Sequence, residues 1–508
     1  MPGGIFAFFL RAGALCAIID AEDAKMKIVL FALNGSFSHT NLALRCLRAP
    51  LERAGFDVVP VERNLRDRTD EVLQALWSER ADLYGFSCYI WNISQMLAVA
   101  ADLKALLPRS VFVFGGPEVS FDTERFDGLS FIDHVIRGEG EDALPALAAA
   151  LRDGKKMPRV LDGGVPDVMR DEGILYRDGD CPAGELLYYE SSRGCPYRCA
   201  YCLSSVGGRI RAKSVGQTLA DLRAFERLSA PGKIVKFVDR TFNFDAARAN
   251  AIWDALTGPE YTGHYHFEIC ASLLNEESFE IFSRMPKGKI QLEIGLQSTN
   301  PATLAEVSRH IDPAAVIAAS RRIRAPGNVH VHLDLIAGLP YESYERFRQS
   351  FNDAWGCCDL LQLGFLKLLH GTRLCADAEK YGYVASAQPP YTVLQSKWIT
   401  RDELYHLSGI ADLLDRYDGS GAFARTIALA VPLAATPFDF FDGLGAFLAA
   451  HDGRSVRRVS QTDAFRLLWN YCRTLTDDPD RLSALEDALH ADFEAREARK
   501  LPLSVLGK

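Results

Sequence analysis

Residues 26 to about 151 repeat one pattern: a short, unbroken apolar run followed by a stretch of helical periodicity. The runs are "KIVLFAL", "FDVVPV", "DLYGFS", "VFVFGG" and "IDHVIRG"; helical patterns occupy 41–54, 69–80 and 93–107 and begin again at Glu141. A strand that is apolar throughout, rather than at every second residue, is buried on both faces. That is the condition of a parallel sheet with helices on each side. The expected architecture is therefore α/β and doubly wound. Ligands of such sheets lie beyond the carboxyl ends of the strands. The loops there, "NGSFSHTN", "SCYIWN", "GGPEVS" and "RGEGE", are the binding candidates. No GxGxxG follows the first strand, which argues against a dinucleotide.

Five such units suit a flavodoxin-like domain over 26–151. Residues 152–186, rich in Gly, Asp and Pro, read as a linker with room for one hairpin. Six further strand candidates follow: "LLYYESS", "IVKFVD", "YHFEICA", "KIQLEIGL", "VHVHLDLIAGL" and "DLLQLGFLKLL". Helical patterns lie between most of them, so 187–384 is expected to form a partial (β/α)6 barrel with its chemistry at the C-terminal strand ends. From 385 to 508 helical patterns dominate, giving a mainly helical C-terminal region. A chain of 508 residues accommodates this division. Residues 1–25 are apolar in part, but Arg11 interrupts them and no basic residue precedes the run. They are too short to span a bilayer and are expected to be an extension outside the fold.

The stretch "ESSRGCPYRCAYCLSS" places Cys195, Cys199 and Cys202 directly after the first barrel strand. The other nine of the twelve cysteines (Cys16, Cys46, Cys88, Cys181, Cys270, Cys357, Cys358, Cys375 and Cys472) are scattered and read as reduced, mostly buried thiols. Structural zinc takes four ligands, commonly two CxxC pairs, and no partner pair follows here. Three thiolates suit a 4Fe-4S cubane with one iron left open to a small molecule.

A cluster of that kind on the first loop of a partial barrel resembles the radical S-adenosylmethionine (SAM) superfamily. The resemblance implies that SAM chelates the open iron through its amino and carboxylate groups. Further stretches carry it. Tyr201 holds the aromatic position before the third cysteine, where the family's backbone meets adenine. "FVDRTFN", with Asp239 and Arg240, ends the second strand, where family groups hold the SAM amino group. "EIGLQS" offers Glu293, Gln297 and Ser298 for the ribose, and "LIAGLPYE" places Gly338 in the strand under adenine.

A doubly wound domain ahead of such a barrel resembles the cobalamin-binding domain of the cobalamin-dependent radical SAM enzymes. Gly115 and Gly116 leave room for a bulky ligand to approach backbone, and Gly138 beside Glu139 does the same in the next loop. In "SCYIWN", Ser87, Tyr89 and Trp91 are candidate corrin contacts, either aromatic ring being able to cover the lower face. His39 lies in the first loop. However, Phe37 and Leu42 stand where the histidine-ligating D-x-H-x-x-G pattern has Asp and Gly, so nothing in the motif fixes the imidazole. RNA methylthiotransferases share the general plan, but need three more cluster cysteines in the first domain, where only Cys46 and Cys88 occur within 26–151.

The resemblance implies methylation of an unactivated carbon with 4Fe-4S, SAM and cobalamin as cofactors. The alternative within the subfamily is radical cyclisation or rearrangement without net methylation, as in a tetrapyrrole ester cyclase. A small-molecule substrate and an electron donor of flavodoxin or ferredoxin type are the expected partners. The net charge of -9 argues against bulk nucleic acid, and the absence of a membrane-length apolar segment places the protein in the cytoplasm. "PPYTVLQSKW" (389–398), with Tyr391, Lys397 and Trp398, is the expected substrate-facing element.

Overall fold

A computed structural model describes residues 25–497 apart from 168, 170–172, 178, 181–185, 206–207, 229–232 and 452–455. The N-terminal extension, with Cys16, and Cys181 lie outside the described residues.

The first sheet contains β1 (Lys27–Asn34), β2 (Asp57–Asn64), β3 (Leu83–Ser87), β4 (Val111–Gly115), β5 (His134–Arg137) and β6 (Val160–Asp162). All are parallel, in the order β2-β1-β3-β4-β5-β6. The apolar runs divide by residue parity between two cores. Ile28, Leu30 and Ala32 of β1 meet Leu44 and Leu51 of α1 (Leu42–Arg53) and Leu144 and Leu147 of the helix Ala143–Arg152. Val29, Phe31 and Leu33 meet helices Thr69–Glu79 and Ile93–Leu106 through Val72, Leu76, Met96 and Val99. In that second core Phe86 and Phe114 stack at 4.7 Å, worth about 0.5–1.5 kcal/mol beyond their area. The sixth strand corrects the expectation of a hairpin in the linker. Val160–Asp162 pairs in parallel with β5, extending the first sheet.

The second sheet is also six parallel strands. They are β7 (Leu186–Tyr189), β8 (Ile234–Phe237), β9 (His264–Ile269), β10 (Ile290–Gln297), β11 (His330–Ala337) and β12 (Leu360–Phe365), adjacent in chain order. Their parity differs from that of the first sheet. In β10, Ile290, Leu292, Ile294 and Leu296 are buried under helices, while Gln291, Glu293, Gly295 and Gln297 face the barrel interior. β11 repeats this with His332 and Asp334 inward. The strand ends of this barrel are thus polar inside and apolar outside.

Helices Arg401–Tyr417 and Pro437–His451 pack on the barrel rather than forming a separate core. Phe438 and Phe441 contact Phe351 of the helix Tyr344–Ala354, and Leu404, Leu407 and Ile410 join the same cluster. The capping box Thr400–Glu403 fixes where this part begins. Among the described residues no single helix is long and apolar enough to cross a membrane. The apolar pair Ala424–Leu433 and Pro437–His451 is bent by 99°, and it buries Phe438, Phe440 and Phe441.

Candidate active site

β7 runs directly into the cysteine loop, and several bonds hold that loop. Ser192–Arg193 pairs with Arg211–Ala212 as a short antiparallel stem. Ala200 N donates to Val307 O at 2.9 Å, and Leu374 N donates to Ala200 O at 3.0 Å. The trio lines one wall of a cavity that opens at the C-terminal ends of the barrel strands. Tyr201, Arg240, Glu293 and Gln297, expected from sequence, line it as well. Glu268, Cys270, Asp334, Arg309, Tyr197 and Thr241 also do so and were not singled out. Glu268 and Asp334 carried a legible signal, being acidic residues at the inward parity of strands whose other face is apolar; Arg309, just after the helix Pro301–Glu306, carried none.

Three expected residues stand elsewhere, each for a physical reason. Asp239 is fully buried. It accepts from Ser191 N at 2.8 Å, Ser191 Oγ at 2.6 Å and Ser192 Oγ at 2.6 Å, so it anchors the root of the cysteine loop. Ser298 is also buried, and donates to Glu342 Oε2 at 2.7 Å. Gly338, at φ +92°, turns the chain under the C-terminal hairpin, and its carbonyl accepts from Tyr383 Oη at 3.0 Å.

The cavity's acids are sharply differentiated. Burial works against ionising Glu293. His266 Nε2 at 2.9 Å and Lys236 Nζ at 3.5 Å override it and hold the carboxyl at about 2. Asp334 is pushed up to about 8 by burial and then by Glu293 and Glu268, so it is a neutral donor at pH 7. Burial holds His332 down at about 4, with His330 and His266 adding to the effect. Glu268 is raised by burial and offset by Arg240, 3.7 Å away. Burial pushes the Cys199 thiol up, and Arg309, with Nη1 4.0 Å from its sulfur, pulls it back toward the thiolate that a metal requires.

The residues present fit the expected groups. Among the described residues no three His, Cys, Asp or Glu side chains converge on a single ion. A cubane asks something else, since each of its thiolates binds a different iron. Gln297 sits at φ +72° on a β-bulge between Gly295 and Gln297. A Cβ on Gly295 would lie 2.2 Å from Gln297 Nε2. The Gln297 Oε1 atom is buried without a hydrogen-bond partner, so the bulge aims an unmet acceptor at whatever fills the cavity.

On the first domain, Gly116 has φ +107° and a Cβ there would lie 2.5 Å from Cys88 O. Gly138, at φ +78°, faces open space, and Gly115 has only Ile136 O at 4.0 Å. Tyr89 and Trp91 stack at 4.3 Å and 8°, with Trp91 51% exposed. They form a flat aromatic surface beside these glycines. Ser87 is buried and hydrogen-bonds Tyr89, whose phenol burial pushes up and Arg240 of the barrel opposes. Tyr89 is therefore close to the barrel's own cavity residue.

The two strand-end faces are joined by side chains of the loops expected to bind. Glu139 is held by two arginines. Its carboxylate accepts from Arg193 Nη1 at 2.8 Å and from Arg211 Nη1 at 3.0 Å, tying the "RGEGE" loop to the stem of the cysteine loop. His39 Nδ1 lies 2.9 Å from Tyr188 Oη on β7. Tyr391 is buried and bonds Glu118 of "GGPEVS" and Arg125 Nη1, the latter at 2.7 Å. Lys397 Nζ donates to Lys380 O, and Trp398 packs on Tyr341 at 4.7 Å. The expected substrate element is thus a strap across both domains.

Comparison with known proteins matches residues 28–148 to the family described as B12 binding domain, 189–354 to the Radical SAM superfamily and 379–506 to a protein family of unknown function, DUF4080. The hopanoid C-3 methylase of Methylococcus capsulatus is 27% identical over 338 residues, 61% of this chain and 63% of that protein. The cobalamin-dependent radical SAM methyltransferase TokK of Streptomyces tokunonensis is 26% identical over 316 residues, 53% of this chain and 44% of its own length. The match therefore spans less than two thirds of either relative. In fold, the chain is similar to the radical SAM methyltransferase TsrM of Kitasatospora setae, solved with cobalamin and a [4Fe-4S] cluster. That likeness has a TM-score of 0.61 at 15% identity and covers 83% of this chain and 98% of that one.

Proposed function

We propose that this chain, which belongs to the cobalamin-dependent radical SAM enzymes by its paired B12-binding and radical SAM domains, methylates an unactivated carbon of a small molecule. The observation that carries the reading is one cavity holding Cys195, Cys199, Cys202 and the unpartnered Gln297 Oε1, facing the glycine and aromatic surface of the first domain. When bound there, a 4Fe-4S cluster with SAM supplies a carbon-centred radical and cobalamin supplies the methyl group. The three cysteines hold the cluster as thiolates, and Arg309 beside Cys199 favours that state. Gln297 Oε1 and the ionised Glu293 accept from the hydroxyls of SAM, and Tyr201 borders its adenine. Arg240, already shared with Glu268, faces the first domain near Tyr89.

Gly115, Gly116 and Gly138 would let a corrin approach backbone, and the Tyr89–Trp91 stack would offer it an aromatic surface. In the first loop Phe37 and Leu42 replace the Asp and Gly of the histidine-ligating pattern, and His39 Nδ1 meets Tyr188 Oη at 2.9 Å. The bonds Glu139–Arg193, Glu139–Arg211 and Tyr391–Glu118 tie the two halves together, which is the positioning such a reaction demands. Reducing equivalents come from a flavodoxin or ferredoxin type donor, and the free thiols suit the reducing cytoplasm.

The test is methyl-labelled SAM supplied to reconstituted enzyme with candidate substrates. Label in the product, formed together with S-adenosylhomocysteine and 5′-deoxyadenosine, is the expected result. Deoxyadenosine with an unmethylated product would favour cyclisation or rearrangement instead.

A further inference from the structure

One group in the cavity has no part in this account. Cys270 follows β9, is 2% exposed and lines the same space as the trio. Asn243 clamps its backbone from both sides: Cys270 N donates to Oδ1 at 2.9 Å and Cys270 O accepts from Nδ2 at 2.9 Å. The sulfur accepts from Tyr197 Oη at 3.1 Å, and Tyr197 lies within the cysteine loop itself, between Cys195 and Cys199.

Other buried thiols behave differently. Cys88 gives its hydrogen to Phe86 O and Cys357 gives its own to Asp353 O, as inert core thiols do. Cys270 is instead an acceptor held by the loop that carries the other three sulfurs. A cubane needs four ligands and the loop supplies three.

We propose that Cys270 is an exchangeable fourth ligand of the cluster, occupying the iron that the loop leaves open until SAM binds. The inference rests on the cluster reading above. When SAM arrives, the iron–sulfur bond to Cys270 breaks and bonds to the SAM amino nitrogen and carboxylate oxygen form. The proton that the SAM ammonium must shed passes to the Cys270 sulfur. No electron is gained or lost, and the iron keeps its oxidation state. Tyr197 keeps the released sulfur in place for the return.

The experiment uses full-length, anaerobically reconstituted protein. Without SAM, ferricyanide is added and the EPR signal of a three-iron cluster is followed, since a cubane with an unprotected iron loses it on oxidation. Wild type should convert slowly. Cys270→Ala should convert at least about tenfold faster and bind SAM about three- to tenfold more tightly, because no sulfur has to be displaced. Saturating SAM should protect both proteins equally. Tyr197→Phe, which keeps the thiol and removes its donor, should convert at an intermediate rate and serves as the deciding variant if Cys270→Ala does not fold. Equal conversion rates and equal SAM affinity in these variants overturn the assignment. The parent reading is tested separately by iron content in the Cys195→Ala, Cys199→Ala, Cys202→Ala protein. If that protein loses its iron while Cys270→Ala behaves as wild type, only the fourth ligand falls.

Discussion

Asp239→Asn distinguishes a carboxylate that builds the cluster loop from one that binds SAM. The side chain is fully buried and accepts three hydrogen bonds, two of them from hydroxyls at 2.6 Å. Ser191 Oγ also accepts from Arg248 Nη2 at 2.8 Å, which commits its one hydrogen to Asp239. Asparagine turns one acceptor oxygen into a donor, so the Ser191 and Ser192 hydroxyls lose their acceptor and buried Arg248 loses a neighbouring charge. Hydrogen bonds to a charged acceptor are worth about 1.5–3 kcal/mol each, so two lost bonds amount to about 3–6 kcal/mol. Burial holds the Asp239 carboxyl above its ordinary range, and relieving that charge offsets part of the loss, leaving a net cost of about 3 kcal/mol. For a unit of this size 1 kcal/mol moves the melting midpoint by about 2–4 °C, so the midpoint should fall by about 6–12 °C. The assay is calorimetry of the metal-free variant beside wild type, followed by SAM binding to reconstituted protein at a temperature where both are folded. SAM affinity should agree within about twofold. An unchanged midpoint with a hundredfold weaker SAM affinity would refute the reasoning and return Asp239 to the binding site.

Four further outcomes are expected. Replacing Cys195, Cys199 and Cys202 together by Ala should remove the roughly four irons of the reconstituted protein, whereas Cys472→Ala, in the helical core, should retain them in iron analysis. Gln297→Ala should weaken SAM binding by about tenfold, near the value of one buried hydrogen bond, in equilibrium dialysis. Asp334 keeps its proton to about 8 in the folded state while the unfolded chain releases it in the ordinary carboxylate range. Its contribution is therefore complete at acid pH and lost as pH rises toward 8. Melting curves of metal-free Asp334→Asn should accordingly gain on wild type from pH 5 to about 8. Gly163→Ala should disrupt cobalamin binding, measured by absorption titration, because a Cβ there would lie 1.8 Å from Glu139 O and the "RGEGE" loop would have to move.

The strand arrangement was legible because short runs of buried apolar residues, unbroken in β1, β3 and β4 and alternating in the barrel, recur between helical patterns, and β1 to β5 and all six barrel strands follow from them. β6 escaped notice because three residues in a Gly- and Asp-rich stretch carry no periodicity. The cavity was legible where chemistry and spacing coincide, at Cys195, Cys199, Cys202 and the inward Glu293 and Gln297. Cys270 was grouped with the inert thiols, since sequence shows a cysteine's neighbours along the chain and not the Tyr197 hydroxyl that folding brings to it. Asp239 and Glu139 sit where ligand contacts were expected, but strand-end loops also have to be held, and a carboxylate there serves either purpose. Only the positions of Ser191, Ser192, Arg193 and Arg211 decide between them.

The pairs that join the two domains share one property. Glu139 meets Arg193 across 54 residues, His39 meets Tyr188 across 149 and Glu118 meets Tyr391 across 273. Pairs so distant leave no pattern in a single chain. They are also the bonds that set how the two strand-end faces oppose each other. If a substrate held between those faces gives a hydrogen to one side and takes a methyl from the other, both geometries have to be met at once. A misplacement of about 1 Å can cost on the order of a hundredfold in rate. The polar residues at the rims hold the domains in that relation. The strap carrying Tyr391 explains in the same terms how the C-terminal region, which supplies no residue to the cavity lining, takes part in the site.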